Sequence, residues 1–221
     1  MASTTDGGLA EEAAAHIGRN TDAVQCVDGS SKEIDRQSGL LVGWALKNRV
    51  LLSWAYFTAL HKIGDSTAEH VVYYRESDNR AVKHTHAGTF GITPGPDGQQ
   101  HAATPLFYLR RLLLMNHVFD SMLLFDGVFY TQSILIGKTD GFYPCVVVSQ
   151  PWHHPESVTN PHPSISEIEE FMQATGFIRK PGSYFGWFKN DENISVVDAR
   201  RDNFIKTAEG VIPIDLVISK A

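Results

Sequence analysis

Val197-Asp198-Ala199-Arg200-Arg201-Asp202-Asn203-Phe204-Ile205, followed by Pro213-Ile214-Asp215-Leu216, is the stretch from which the 221-residue chain is best read outward. Apolar residues lie on both sides of its polar turn: Ile194, Val196 and Val197 before it, Phe204, Ile205, Val211, Ile212 and Ile214 after it. That texture predicts short strands joined by turns, which bring Asp198, Asn203 and Asp215 to one edge of a hairpin. Two carboxylates and an amide oxygen at one edge form a hard-oxygen set suited to a divalent cation beside a phosphate. An Asp, an Asn five residues on and a second Asp after a short hairpin is the arrangement phosphoryl transfer needs. The spacing alone is common by chance, and a turn in which Asp198 and Asn203 only satisfy backbone N–H groups is the plain alternative.

A second element stands upstream. Val71-Val72-Tyr73-Tyr74 and Ala81-Val82-Lys83 flank Glu76-Ser77-Asp78-Asn79, which predicts two strands around a tight turn. Lys83 ends the second strand, where an ammonium could meet nucleotide phosphates. Gly64 to Val71 would be the turn that covers those phosphates, although a single glycine is no G-x-G-x-x-G. Residues 104–117 predict a helix with Leu106, Leu109, Leu113 and Met115 inward and Arg110 and Arg111 partly exposed. Residues 123–136 and 143–149 read as strands, the second apolar enough to be central. Ser164-Ile165-Ser166-Glu167 is a capping box that opens a further helix, and Gly176 is placed to end it. Residues 184–188, 194–197, 204–206 and 211–216 read as short strands.

These segments together resemble the protein-kinase-like fold, in particular the serine/threonine/tyrosine-kinase-like domain of bacterial and phage polyvalent proteins. The resemblance runs from about Trp44 to Leu216. It rests on Ala68-Glu69-His70-Val71, Lys83-His84-Thr85, Phe90-Gly91, Tyr108-Leu109 with Asn116, Ser149-Gln150-Pro151, Glu167-Ile168, Gly176-Phe177, Asp198-Ala199-Arg200, Asp202-Asn203-Phe204-Ile205 and Pro213-Ile214-Asp215. It implies that Lys83 is the ATP-phosphate lysine and Asp198 the catalytic-loop aspartate. Asn203 and Asp215 would be the Mg²⁺ ligands, and Ser149 to Trp152, with Gln150, the hinge that meets adenine. Gly64 and Glu69 fall in the nucleotide-covering segment. The resemblance also implies a helix carboxylate paired with the lysine. Residues 104–118 contain none, so Glu69 or Asp120 would have to substitute. Val196-Val197 stands where His-Arg is usual, Leu216 follows Asp215 in place of Phe-Gly, and six residues remain after Asp215.

The expected fold is α+β, a minimal two-lobed kinase-like chain with a sheet-rich N-lobe and a truncated C-lobe. Its expected parts are a weakly ordered arm (1–32) that buries little, a helical lead-in (33–60), an N-lobe (61–150) and a reduced C-lobe (151–221). The expected function is ATP-binding, Mg²⁺-dependent phosphotransfer to an acceptor that is a protein, a small molecule or the chain itself. The alternative is a catalytically weak or inactive kinase-like module acting in interaction or regulation. A truncated lobe could be completed by a second copy or a partner.

Composition narrows the remaining classes. A net charge of −6 gives no long-range attraction for nucleic acid or anionic membrane. No window offers the roughly 18 apolar residues of a bilayer span, no secretory signal opens the chain, and a cytoplasmic setting is the default expectation. Two cysteines far apart, Cys26 and Cys145, form no CxxC pair. Ten histidines include His84, His86, His153, His154 and His162, but no HExxH, so a histidine-held zinc is not expected. No G-x-S-x-G occurs, and Cys145 lies in an apolar strand where an inert thiol is expected.

Overall fold

The computed structural model describes residues 8–21, 30–63, 69–94, 100–132 and 141–220. The fold is α+β, with five α-helices and fourteen strands among the described residues. The chain divides into two compact units, Met1–Leu113 with Met122–Trp152, and Leu114–Ser121 with His153–Ala221. No helix among the described residues is long and apolar enough to cross a membrane.

The first unit begins with α1 (Gly8–Arg19), which buries Ala10, Ala13, Ala14 and Ile17. The expectation that residues 1–32 bury little is therefore corrected over this stretch. Alanines four apart give one narrow face that lets a second helix approach closely. That helix is α2 (Ser31–Lys47), opened by Ser30, whose hydroxyl accepts the Glu33 N–H. The near-helical spacing beyond it does not continue as helix. Residues 48–63 instead carry β1 (Leu51–Leu52), one short turn of helix α3 (Ala55–Thr58) and β2 (His61–Lys62). Phe57 points into a sheet core rather than along a helix face: it packs on Tyr73, His84 and Phe129.

Next come β3 (His70–Arg75) and β4 (Arg80–Thr85), joined by one 3₁₀ turn and Asn79 at φ 53°. Asparagine tolerates that left-handed geometry, as the polar turn predicted. A small antiparallel pair, β5 (Ile92–Pro94) and β6 (Gln100–Ala102), precedes helix α4 (Pro105–Phe119). The start of α4 is capped twice. Phe107 N–H donates to the Thr104 hydroxyl at 3.3 Å, and Leu106 N–H donates to the side-chain oxygen of buried Gln37 on α2 at 3.0 Å. After α4 come β7 (Leu124–Gln132) and β8 (Phe142–Pro151).

These strands form a six-stranded sheet ordered β1-β7-β8-β4-β3-β2. All its pairs are antiparallel except β1 with β7. The run Cys145-Val146-Val147-Val148 is buried at the centre, as its continuous apolarity predicted. Register decides which side chains share a face, because the pleat alternates every residue. Val82, opposite Tyr73, and His84, opposite Val71, face the aromatic core with Phe57, Phe129 and Val147. Lys83, opposite Val72 and Val148, and Thr85, opposite His70, therefore lie on the other face. The hydrogen bond between His70 and Tyr108 puts α4 on that second face.

One end of the core face is polar. A β-bulge at Asp126 in β7 redirects its carboxylate. Asp126 accepts from Tyr56 OH at 2.5 Å, Arg75 at 2.9 Å and Ser149 OH at 2.9 Å. Burial, reinforced by this carboxylate, pushes the Tyr56 phenol far above its usual range, so it stays a neutral donor.

The second unit holds α5 (Ile165–Ala174), whose capping box is fully formed between Ser164 and Glu167. Gly176 follows at φ 86°, the left-handed position at which the helix ends. A four-stranded antiparallel sheet is ordered β14-β11-β10-β9, from β9 (Ile178–Arg179), β10 (Trp187–Lys189), β11 (Ile194–Val196) and β14 (Ile218–Lys220). A separate hairpin pairs β12 (Phe204–Thr207) with β13 (Gly210–Pro213). Strand β10 starts at Trp187, later than the sequence reading; Tyr184 and Phe185 precede it and are exposed. Phe119, Phe171, Phe177 and Phe204 form the aromatic centre of this unit.

Candidate functional site

In the second unit the two hairpin systems open toward one loop. Val197 N–H donates to Val217 O at 3.0 Å, continuing the β11–β14 ladder past Val196 and Ile218. Asp198 follows directly on Val197, and Asp215 lies two residues before Val217. From the other hairpin, Ile214 N–H donates to Asn203 O at 2.8 Å, extending the β12–β13 ladder beyond Phe204 and Pro213. Asp215 thus lies one residue after Ile214, the partner of Asn203, and two before Val217, the partner of Val197.

The loop is also cross-braced by side chains. Asn203 is buried, and its Nδ2 donates to Asp198 O at 2.7 Å and to Asp198 Oδ2 at 2.8 Å. Both amide protons are thereby used, and the carbonyl Oδ1 remains the atom able to take a cation. Arg200 donates from Nε to Asp198 Oδ1 at 2.8 Å and lies 3.7 Å from Asp202. Its guanidinium pKa is raised by the charge of Asp198 first, opposed by partial desolvation, with Asp202 and Asp215 adding to it. Asp215 is therefore within electrostatic reach of Arg200 as well. Of the two Asn203 hydrogen bonds, one closes the turn onto the Asp198 backbone carbonyl and the other joins the Asn203 and Asp198 side chains.

In the first unit Lys83 is buried on the α4 face of the sheet. Strand β8 runs beside its strand, with Gln150 opposite Ala81 and Pro151 opposite Arg80. Gln150 is buried, and Trp152 N–H donates to Asn79 O at 2.9 Å, so the expected hinge leaves the sheet as an extension of β8.

Glu69, one of the two acids that could substitute for a helix carboxylate, meets α4 through an arginine. Its carboxylate is bound by Arg111 of α4 at 2.6 Å, with His70 Nε2 at 3.4 Å. Arg111, expected to be partly exposed, is 4% exposed because this carboxylate compensates its charge indoors. Asp120, the other acid considered, follows α4 at φ 50°. Gly64 and residues 64–68 lie outside the described residues, as does Cys26.

Residues that sequence reasoning missed are Arg111, Tyr108 and Arg200 in these roles. The signal for the first two was a helix holding a Tyr and an Arg three apart on one face, aimed at an acidic residue that starts a strand. For Arg200 the signal was its position two residues after Asp198.

His84, on β4, is buried among Phe57, Tyr73 and Phe129. Burial lowers its pKa and keeps the ring neutral. Burial also pushes the Cys145 thiol up to about 12, which makes it inert.

Compared with protein-family models, curated proteins and solved structures, the chain matches none.

Proposed function

We propose that the chain is a compact kinase-like phosphotransferase that binds ATP with Mg²⁺. The observation that carries this reading is the braced loop in which Asn203 donates twice to Asp198 while Ile214 ties Asp215 to Asn203. The donor set, one carboxylate and one amide oxygen next to a second carboxylate, suits a hard divalent cation. Held by Asn203 and Asp215, Mg²⁺ would neutralise charge on the phosphates.

Asp198 would accept the proton of the acceptor hydroxyl as its oxygen bonds to the γ-phosphorus and the bond to the β-bridging oxygen breaks, releasing ADP. Its oxygens still have lone pairs for this beyond those taken by Arg200 and Asn203. Arg200, half exposed and already paired with Asp198, could lend positive charge to the transferring group. In the first unit, the order of Lys83 strand, helix and two antiparallel strands, the second carrying Gln150, supports the same reading. It is the order that the kinase-like resemblance requires.

One observation favours the alternative of a regulatory or interaction module with weak or no turnover. Glu69, which the resemblance offers as a substitute for the helix carboxylate, is bound by Arg111 of α4.

A thermal-shift titration separates the two. A nucleotide present at about 100 times its Kd stabilises by about 2.7 kcal/mol. ATP with Mg²⁺ is expected to raise the melting temperature, and Asp215→Ala to remove the Mg²⁺-dependent part. Asp198→Ala is expected to keep binding and lose transfer. A flat titration of the wild-type chain would reject nucleotide binding.

A further inference from the structure

The ion pair in the first unit has a polarity opposite to the one the resemblance calls for: the helix supplies the cation and the strand supplies the acid. Tyr108 and Arg111 lie three apart on α4, hence on one face. They meet consecutive residues at the start of β3. Arg111 Nη1 is 2.6 Å from Glu69 Oε1, and Tyr108 OH is 2.8 Å from His70 Nε2.

Three further contacts confine Glu69. His86 N–H, just past β4, donates to its carbonyl at 3.3 Å. His70 Nε2 lies 3.4 Å from its carboxylate. Gly91, at φ 79°, lies so close that a Cβ there would be 2.7 Å from that carboxylate. Both strands of the Lys83 hairpin are thus tied to α4 at this corner.

Stability alone is a poor reason for such a corner. Charges withdrawn from water this far seldom stabilise more than apolar side chains of the same volume. What the pair does supply is a fixed relation between α4 and the sheet face that carries Lys83. His70 pairs with Thr85 and Val72 with Lys83, so His70 and Lys83 share that face two residues apart.

We propose that Glu69 and Arg111, flanked by His70 and Tyr108, are positioning residues that set Lys83 for phosphate binding by latching its hairpin to α4. This rests on the nucleotide-binding reading above. The latch acts on the phosphate end of the ligand, through Lys83, and leaves contacts with the base unchanged.

The test uses the full chain and two probes: ATP with Mg²⁺ by calorimetry, and adenosine at millimolar concentration by saturation-transfer NMR. Arg111→Met is expected to weaken ATP at least tenfold while adenosine stays within twofold. Arg111→Lys is expected to recover most of the loss. Tyr108→Phe, which keeps the packed ring, is expected to weaken ATP two- to fivefold and decides the matter by the same ratio if Arg111→Met does not fold. Unchanged ATP affinity in the folded variants overturns the latch, and so does an equal loss for ATP and adenosine, the mark of a merely structural pair. A wild-type chain that binds neither probe overturns the latch and the nucleotide-binding reading together; wild-type binding with indifferent variants overturns the latch alone.

Discussion

Asn203→Asp is the substitution that most severely tests the braced loop. It preserves shape and replaces a double donor by a second carboxylate facing Asp198 Oδ2, 2.8 Å from the present amide nitrogen. Two effects add. Loss of the hydrogen bond to an ionised partner costs about 1.5–3 kcal/mol, a loss that Asn203→Ala shares. Repulsion is specific to Asp: unit charges at 2.8 Å repel by about 6 kcal/mol at an effective dielectric of 20.

The pair has a cheaper exit, because taking up one proton at pH 7 costs a carboxylate of ordinary pKa about 4 kcal/mol. The smaller figure wins, so Asn203→Asp should be less stable than Asn203→Ala by up to about 4 kcal/mol at pH 7. At about 2–4 °C per kcal/mol for a chain of this size, a difference of about 3 kcal/mol gives roughly 6–12 °C between the two melting temperatures. Calorimetric scans at pH 7 and near pH 4 are the assay, and the gap should close at the lower pH, where the shared proton is taken up readily. Equal melting temperatures at pH 7, or a gap indifferent to pH, would refute the side-chain brace between these residues.

Further expectations follow from other sites. Gly127 in β7 sits at φ 151°, and a Cβ there would stand 2.3 Å from the Val50 carbonyl oxygen. Because that neighbour is backbone, Gly127→Ala should destabilise by about 3 kcal/mol or more in a urea melt. His84 has a pKa lowered from its ordinary 6.5 by burial, so below pH 6.5 the unfolded chain binds the extra proton and stability falls as pH drops. Replacing it with Phe should flatten the acid limb of the stability curve by up to about 1.4 kcal/mol per pH unit. Lys206, with the Ser164 cap, holds Glu167 at about 2. Lys206→Ala should move the Glu167 titration, followed by NMR, back toward its ordinary 4.5. Cys145, with a thiol at about 12, should resist alkylation in the native chain and react on unfolding, read by peptide mass mapping.

Much of the framework was legible because it rests on local rules. The capping box at Ser164, the polar turn between β3 and β4, the apolar run of β8 and the glycine that ends α5 each carry their own signal in adjacent residues. The meeting of Asp198 and Asn203 was legible for the same reason, since a short turn fixes which residues lie side by side. What sequence could not supply was partnership across long separations. Glu69 and Arg111 are 42 residues apart, and nothing local says that the guanidinium is indoors. Helical spacing misled over residues 48–63, where Trp54 and Phe57 are spaced as on a helix, yet Phe57 serves a sheet core and Trp54 is exposed. Residues 1–32 read as burying little, but a narrow alanine face is what lets α1 approach α2.

Electron paramagnetic resonance of Mn²⁺, substituted for Mg²⁺, measures most directly whether Asn203 and Asp215 hold a cation with the nucleotide. With ATP present, the wild-type chain should remove one Mn²⁺ per molecule from the free signal beyond what ATP alone removes. Asp215→Ala and Asn203→Ala should abolish that uptake while remaining folded. Uptake that is absent in the wild type, or intact in both variants, would contradict a cation site at this loop.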